Sequence, residues 1–241
     1  MKYFLILISL FLALSCFAIE QNGKAQELFD SGNYLGAAEV YQKQIDDGEN
    51  NAYIYYNLGN SYFKAGDLDK ALINYYRAFR ISPRDKDIIN NLSFTMEKTG
   101  QSLIPDNMPK SVFMIYNYFS LKELKGLAFI GLWLFAISIT FFVFFKYRRF
   151  WFKTVIFFMC LTLFFTCFYL IRAKKDLQDL AVVIAPRAEL RSGPSDNFPV
   201  ALNVPRAQLL EIHDKKDDWI EVSVGNENNL NWVQQKYIEF I

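Results

Sequence analysis

Apolar residues follow three different patterns along the chain, and each pattern predicts a different kind of structure. Over residues 19–100 they recur every three or four positions, as expected of amphipathic helices. Residues 127–145 and 154–171 are two stretches without any charged residue, each long enough for a membrane-spanning helix. From residue 180 to residue 241 apolar and polar residues alternate, which indicates half-buried strands. The predicted fold is a multidomain membrane protein with an all-α helical region, a two-helix transmembrane hairpin and a small all-β domain.

The first residues have the pattern of a signal peptide. Lys2 precedes an apolar run over residues 3–14, which is too short to span a bilayer comfortably. Small residues follow this run, and we expect cleavage after Ala18, so that residues 1–18 are removed. Two alternatives remain open: an uncleaved short anchor, and lipidation of Cys16, which ends a lipoprotein-like box.

The helical region contains an internal repeat at an offset of 34 residues. The matched pairs are Phe29 with Phe63, Gly32 with Gly66, Ala37 with Ala71, and Tyr41 with Tyr75. The second unit, residues 52–85, has the spaced residues of a tetratricopeptide repeat: Tyr55, Leu58, Gly59, Tyr62, Gly66, Ala71, Tyr75, Ala78 and Pro83. We therefore predict a tetratricopeptide (TPR) helical repeat domain over residues 19–100. It has two repeats and a capping helix over residues 86–99, which Gly100 ends.

Such repeats line a concave groove with residues of their first helices. The predicted groove residues are Tyr53, Tyr56, Asn60, Phe63, Lys64, Phe94 and Lys98. The hypothesis is that this groove binds a segment of another protein. The alternative is that these residues only follow the repeat consensus and keep the helices soluble. Asp67 and Asp69 flank a turn, and we interpret them as helix-start residues rather than as an acid/base pair.

The loop between the two apolar stretches predicts their orientation. Residues 146–153 carry four cations and no anion, which favours a cytoplasmic loop. The signal peptide independently sends the repeats to the other side of the membrane. Neither stretch contains Asp, Glu, Lys, Arg or His, and this disfavours a channel or transporter. Residues 101–126 are predicted to be a linker and interfacial segment with a capping box at Ser120–Glu123, and residues 172–179 to be a second linker.

The C-terminal residues 180–241 are predicted to form five short strands in a small closed barrel. The run from Leu190 to Pro194, together with Trp219-Ile220-Glu221-Val222 and Trp232-Val233, resembles a bacterial SH3 domain. The resemblance implies a module that binds cell-wall peptides or other proteins. Trp219 and Trp232 are the candidate ligand face of this SH3-like barrel, although in so small a barrel we expect one of them in the core.

Charge supports the division into three parts. The net charge is only +1, but residues 101–175 carry +8, whereas residues 19–100 carry −3 and residues 176–241 carry −5. The near-zero total argues against a nucleic-acid partner. A basic, Phe-rich centre between acidic flanks is typical of a membrane protein. The three Cys and the single His offer no disulfide framework, nucleophile–base pair or metal-ligand set. We therefore expect no enzymatic activity, no catalytic residue, no cofactor and no metal.

The order of the parts resembles the BatE-type component of the bacterial aerotolerance-operon (Bat) family over the whole chain. The resemblance implies a non-enzymatic membrane scaffold that acts with other Bat proteins, several of which bear von Willebrand A domains, in envelope or oxidative-stress tolerance. The alternative is a peptidoglycan-binding or wall-sensing protein. Either protein would lie in the bacterial cytoplasmic membrane, in contact with membrane lipid, with the repeats and the SH3-like domain on the extracytoplasmic side.

Overall fold

Helices form the first part of the described chain, and strands form the last part. The computed structural model describes residues 23–104, 108–176, 180–225 and 229–241, so the predicted signal peptide lies outside the described residues. Helix α1 covers residues 23–30. The later helices are α2 (Tyr34–Asp46), α3 (Ala52–Ala65), α4 (Leu68–Ile81), α5 (Lys86–Lys98), α6 (Lys110–Tyr116), α7 (Leu121–Phe144) and α8 (Arg148–Asp176). The strands are β1 (Leu180–Val183), β2 (Arg187–Arg191), β3 (Val200–Pro205), β4 (Leu209–Lys216), β5 (Trp219–Val224), β6 (Asn231–Gln234) and β7 (Ile238–Phe240).

Helices α2 to α5 stack against one another in chain order, and Ala25 of α1 is buried in the apolar cluster between α2 and α3. We call residues 23–100 the repeat domain. Asn51 begins α3, because its side-chain oxygen accepts a hydrogen bond from a main-chain N–H of the first turn. Gly66 ends the same helix with a φ of +87°, a conformation that favours glycine, and turns the chain into α4. Where α3 meets α4, a Cβ on Gly59 would lie 2.7 Å from Cδ1 of Tyr75. Close contact between the two helices therefore requires a residue without a side chain.

Helices α7 and α8 form an antiparallel hairpin, and both are long and apolar enough to cross a membrane. The predicted capping box is present: Ser120 Oγ accepts from Glu123 N–H at 3.3 Å, and Glu123 Oε2 accepts from Ser120 N–H at 2.9 Å. The chain reverses over residues 145–147. Most of the predicted loop, residues 146–153, instead forms the first turns of α8, because that stretch holds no Gly or Pro to end a helix.

Seven strands form one antiparallel sheet in the order β3-β2-β6-β5-β4-β1-β7, and we call residues 180–241 the sheet domain. All seven contribute to one buried apolar cluster, so the sheet curls around a single core. The prediction of five strands is wrong, because β6 and β7 have only four and three residues and are too short to show an alternating pattern. Among the described strands, β3 and β7 end the sheet and do not pair with each other, so the predicted closed barrel is also corrected.

The sheet domain packs against α4 of the repeat domain. Val182 of β1 is fully buried in the same apolar cluster as Leu72 and Phe79 of α4. Arg77 of α4 donates a hydrogen bond to the main-chain carbonyl of Phe240 at 2.9 Å. The two domains therefore share a continuous core rather than being joined only through the hairpin of α7 and α8.

An ion pair lies at this interface between the domains. Arg206 Nη2 is 2.8 Å from Asp67 Oδ1 and 3.0 Å from Asp69 Oδ2, and Asp69 is only 1% exposed. The hydrogen bond to Asp69 raises the pKa of the Arg206 guanidinium above its ordinary value. Gln101 adds a second link, because its Oε1 accepts from Leu209 N–H at 2.8 Å. The two aspartates predicted as helix-start residues thus also join the domains.

The repeat domain is also held against the hairpin. Phe113 of α6 stacks on Phe79, with the ring centroids 6.4 Å apart and the rings 5° from parallel. Arg172 of α8 donates to the main-chain carbonyl of Tyr116, and its guanidinium lies 4.7 Å from the centroid of the Tyr116 ring. Both domains are therefore held at the same end of the hairpin.

Replacing Arg206 with Gln is predicted to loosen the docking of the two domains. The buried Asp69 would lose its cation, and because Arg206 is itself half exposed we expect a cost of about 1–3 kcal/mol. The Leu209 amide donates across the interface, so its hydrogen exchange should accelerate roughly 5- to 150-fold. Arg187→Gln removes the same charge from an exposed site on the sheet domain and should leave the exchange rate of the Leu209 amide unchanged. Equal exchange in the two variants would contradict the prediction.

Candidate protein-binding groove

A groove of about 380 Å³ opens on the side of the repeat domain that is lined by α1, α3 and α5. All of its lining residues belong to the repeat domain: Phe29, Tyr56, Asn60, Phe63, Lys64, Tyr75, Asn91, Phe94 and Thr95. The sheet domain docks on α4 instead. Docking therefore leaves the groove open to a partner.

A hydrogen-bonded network forms the floor of the groove. Asn60 Oδ1 accepts from Tyr75 Oη at 2.8 Å and from Asn91 Nδ2 at 2.9 Å. Asn91 Nδ2 also donates to Tyr56 Oη at 3.1 Å. Burial raises the pKa of Tyr75, so its hydroxyl stays protonated and remains a donor. Because the four side chains come from three helices, the network holds the floor in one geometry.

Aromatic rings form the walls of the groove. The ring centroids of Phe63 and Phe94 lie 5.9 Å apart at an interplanar angle of 51°. Phe94 is 51% exposed, which is high for a phenylalanine in a helical repeat. Phe29 supplies a third ring from the preceding first helix, and Lys64 adds a cation at the edge. The groove thus combines exposed apolar rings with a polar floor.

The structure brings five of the seven predicted groove residues together: Tyr56, Asn60, Phe63, Lys64 and Phe94. It places two elsewhere. Tyr53 lies beside Tyr41 of the first repeat, and Lys98 lies with its Nζ 5.0 Å from the centroid of the Phe94 ring. Lys98 therefore packs on an aromatic wall of the groove rather than lining its interior.

Sequence reasoning missed four lining residues: Phe29, Tyr75, Asn91 and Thr95. The offset of 34 residues could have found one of them, since Phe29 aligns with Phe63. Tyr75 belongs to a second helix, which the repeat pattern assigns to packing. Its hydroxyl reaches the floor only because Gly59 allows α4 to approach α3 closely.

The two candidate tryptophans of the sheet domain lie on one outer face. Trp219 pairs with Gln234, and Trp232 pairs with Glu221 on the neighbouring strand, so the indoles stand on a diagonal of the same face. Both are partly exposed and neither belongs to the core cluster, so the expectation that one of them fills the core is wrong. The core side of these two strands is filled instead by Ile220, Val222 and Val233.

Comparison with known proteins identifies the repeats. Tetratricopeptide repeat models match residues 52–85 and residues 25–66, which confirms the predicted repeats. The photosystem I assembly protein Ycf3 of the cyanobacterium Prochlorococcus marinus is 31% identical over 87 residues. That match covers 36% of this chain and 47% of the cyanobacterial protein, so the chain spans about half the length of this relative. The chain therefore contains tetratricopeptide repeats, which in general bind other proteins.

Proposed function

We propose that this protein is a membrane-anchored, non-enzymatic scaffold that binds a segment of another protein in the groove. The observation that supports this best is the groove itself, in which partly exposed phenylalanines stand beside a hydrogen-bonded polar floor. Aromatic side chains of this kind dominate the binding energy of protein interfaces. Tetratricopeptide repeat proteins are generally scaffolds without catalytic activity.

An extended segment suits this groove. Phe29, Phe63 and Phe94 offer apolar contacts from three successive first helices, so side chains along an extended chain can reach them in turn. Lys64 at the edge can donate to carbonyl or carboxylate oxygens of the segment. The network on Asn60 is already formed, and binding therefore costs little ordering of the floor.

The scaffold is proposed to lie in the bacterial cytoplasmic membrane with both domains on the extracytoplasmic side. The turn of the hairpin carries four cations, Lys146, Arg148, Arg149 and Lys153, and such clusters stay in the cytoplasm. The opposite end of the hairpin holds the repeat and sheet domains. Because both domains then lie on the same side of the membrane, they can bind the same partner or complex together.

The proposed partners are other exported or membrane proteins. The resemblance to the BatE-type proteins suggests Bat proteins with von Willebrand A domains, acting together in envelope or oxidative-stress tolerance. The name of the cyanobacterial relative describes a photosystem I assembly protein. A scaffold that brings membrane proteins together would have a comparable role in assembly.

A second candidate function is binding of peptidoglycan by the sheet domain, in the manner of the bacterial SH3 domains that it resembles. The observation that favours it is the pair of partly exposed indoles, Trp219 and Trp232, on one outer face. An indole ring offers a large apolar surface and one N–H donor, which suits a ligand that carries both apolar and polar groups.

Replacing Phe63 and Phe94 together with Ala is predicted to abolish partner capture. Each ring is expected to contribute about 1–2 kcal/mol, so recovery of chemically crosslinked partners from cells should fall at least roughly tenfold. Leu35→Ala removes an equally exposed apolar side chain from α2, outside the groove lining, and should leave recovery unchanged. Undiminished recovery from a membrane-inserted, protease-resistant double variant would refute the groove proposal.

Sedimentation of the full-length protein with purified peptidoglycan separates the two candidate functions. The scaffold proposal predicts that the protein stays in the supernatant, with or without Trp219→Ala and Trp232→Ala. Pelleting that is lost in the double tryptophan variant but kept in a Tyr147→Ala control would establish the wall-binding function instead.

A reporter fused at Phe150 tests the proposed orientation. Alkaline phosphatase, which is active only outside the cytoplasm, should be inactive at this position, whereas a fusion after Ile241 should be active. The reason is that the cationic turn is retained inside while both domains are exported. The opposite pattern of activities would overturn the orientation.

A further inference from the structure

A cleft of about 550 Å³ opens between α7 and α8 at the end of the hairpin that holds the two domains. Its α7 side is formed by Lys122, Lys125, Gly126, Ala128, Phe129 and Leu132. Its α8 side is formed by Thr162, Thr166 and Tyr169. The cleft is separate from the protein-binding groove, which lies wholly in the repeat domain.

The cleft exists because of where the two helices touch. At Gly131 a Cβ would lie 2.9 Å from Thr162 Oγ1, so the helices are in close contact there. Nearer to the domains, α7 presents Gly126 and Ala128 to the cleft, and a Cβ on Gly126 would have no neighbour within 4 Å. Small residues at a place where the helices do not touch leave a gap with apolar walls.

The mouth of the cleft is cationic. Lys122 and Lys125 are exposed and three residues apart, so they lie on the same side of α7. The neighbouring carboxylate is already occupied, because Glu123 pairs with Arg84 and with Ser120. In the described part of the chain neither lysine forms an ion pair. Two positive charges are therefore available to a ligand.

The depth of these residues matches the layers of a bilayer. Lys125 lies two residues before the apolar stretch and is therefore at headgroup level. Phe129 and Leu132 lie further along the helix axis by about 6 and about 10 Å, inside the hydrocarbon. A ligand for this cleft must be anionic at one end and apolar at the other.

We propose that the cleft binds one anionic phospholipid. Its phosphate contacts Lys122 and Lys125, and one acyl chain lies between the helices against Phe129 and Leu132. Free phosphate would reach the lysines but leave the apolar walls uncovered, whereas a membrane lipid covers both. This inference rests on the membrane-spanning hairpin of the proposed function, and it places a structural lipid next to the docked domains.

Native mass spectrometry of the purified full-length protein tests the proposal. The protein is titrated in detergent with dioleoyl phosphatidylglycerol or with dioleoyl phosphatidylcholine, which share their acyl chains. Wild type should bind the first lipid about tenfold more tightly, and Lys122→Gln with Lys125→Gln should remove this preference. Lys146→Gln with Lys153→Gln makes the same charge change at the other end of the hairpin and should keep it. Equal preference in the two double variants overturns the proposal.

A variant with intact charges tests the apolar part of the site. Ala128→Trp fills the cleft, and it should weaken phosphatidylglycerol binding about tenfold. Unchanged binding would exclude an acyl chain from the cleft. A photoreactive benzoyl-phenylalanine at Leu132 should crosslink to lipid. Crosslinking to another protein would assign the cleft to a partner helix and overturn the proposal.

The lipid site and the proposed function can fail separately. Extraction of membranes at alkaline pH should leave the wild-type protein in the membrane pellet. Release of the protein would refute both the spanning hairpin and the lipid site. Retention in the membrane without any preference for phosphatidylglycerol would refute the lipid site alone.

Discussion

The buried carboxylate of Asp69 is the constraint on which the arrangement of this molecule depends. A carboxylate that is 1% exposed needs a cation, and Arg206 supplies it from the sheet domain, 137 residues later in the chain. The apolar contact of Val182 with the α4 core extends the same interface. The second helix of the second repeat, α4, is therefore covered by the chain itself. The first helices, which line the groove, are left for a partner.

Local patterns predicted much of this fold. The offset of 34 residues predicted the helical repeats, and the absence of charge predicted the two long apolar helices. The capping box at Ser120 was also evident, because it lies within four consecutive residues. Each of these features depends on contacts between residues close in the chain. The sheet domain was harder, since strands of three or four residues carry too few positions to show a period of two.

Long-range contacts were not predictable in the same way. Asp67 and Asp69 have the same sequence context whether they only begin a helix or also bind Arg206 from another domain. Likewise, Phe63 and Phe94 belong to first helices and were expected in the groove, whereas Tyr75 reaches its floor from a second helix. A repeat pattern specifies which helix faces the groove. It does not specify which side chains reach across between helices.

We propose that the open groove, rather than the docked face of the repeats, receives a protein. The most direct measurement replaces Phe94 with the photoreactive benzoyl-phenylalanine and irradiates living cells that make the full-length protein. A matched probe replaces Leu35, which is equally exposed but outside the groove lining. We expect a discrete protein adduct from position 94 and none from position 35. Adducts of equal yield from both positions, or lipid alone at position 94, would contradict it.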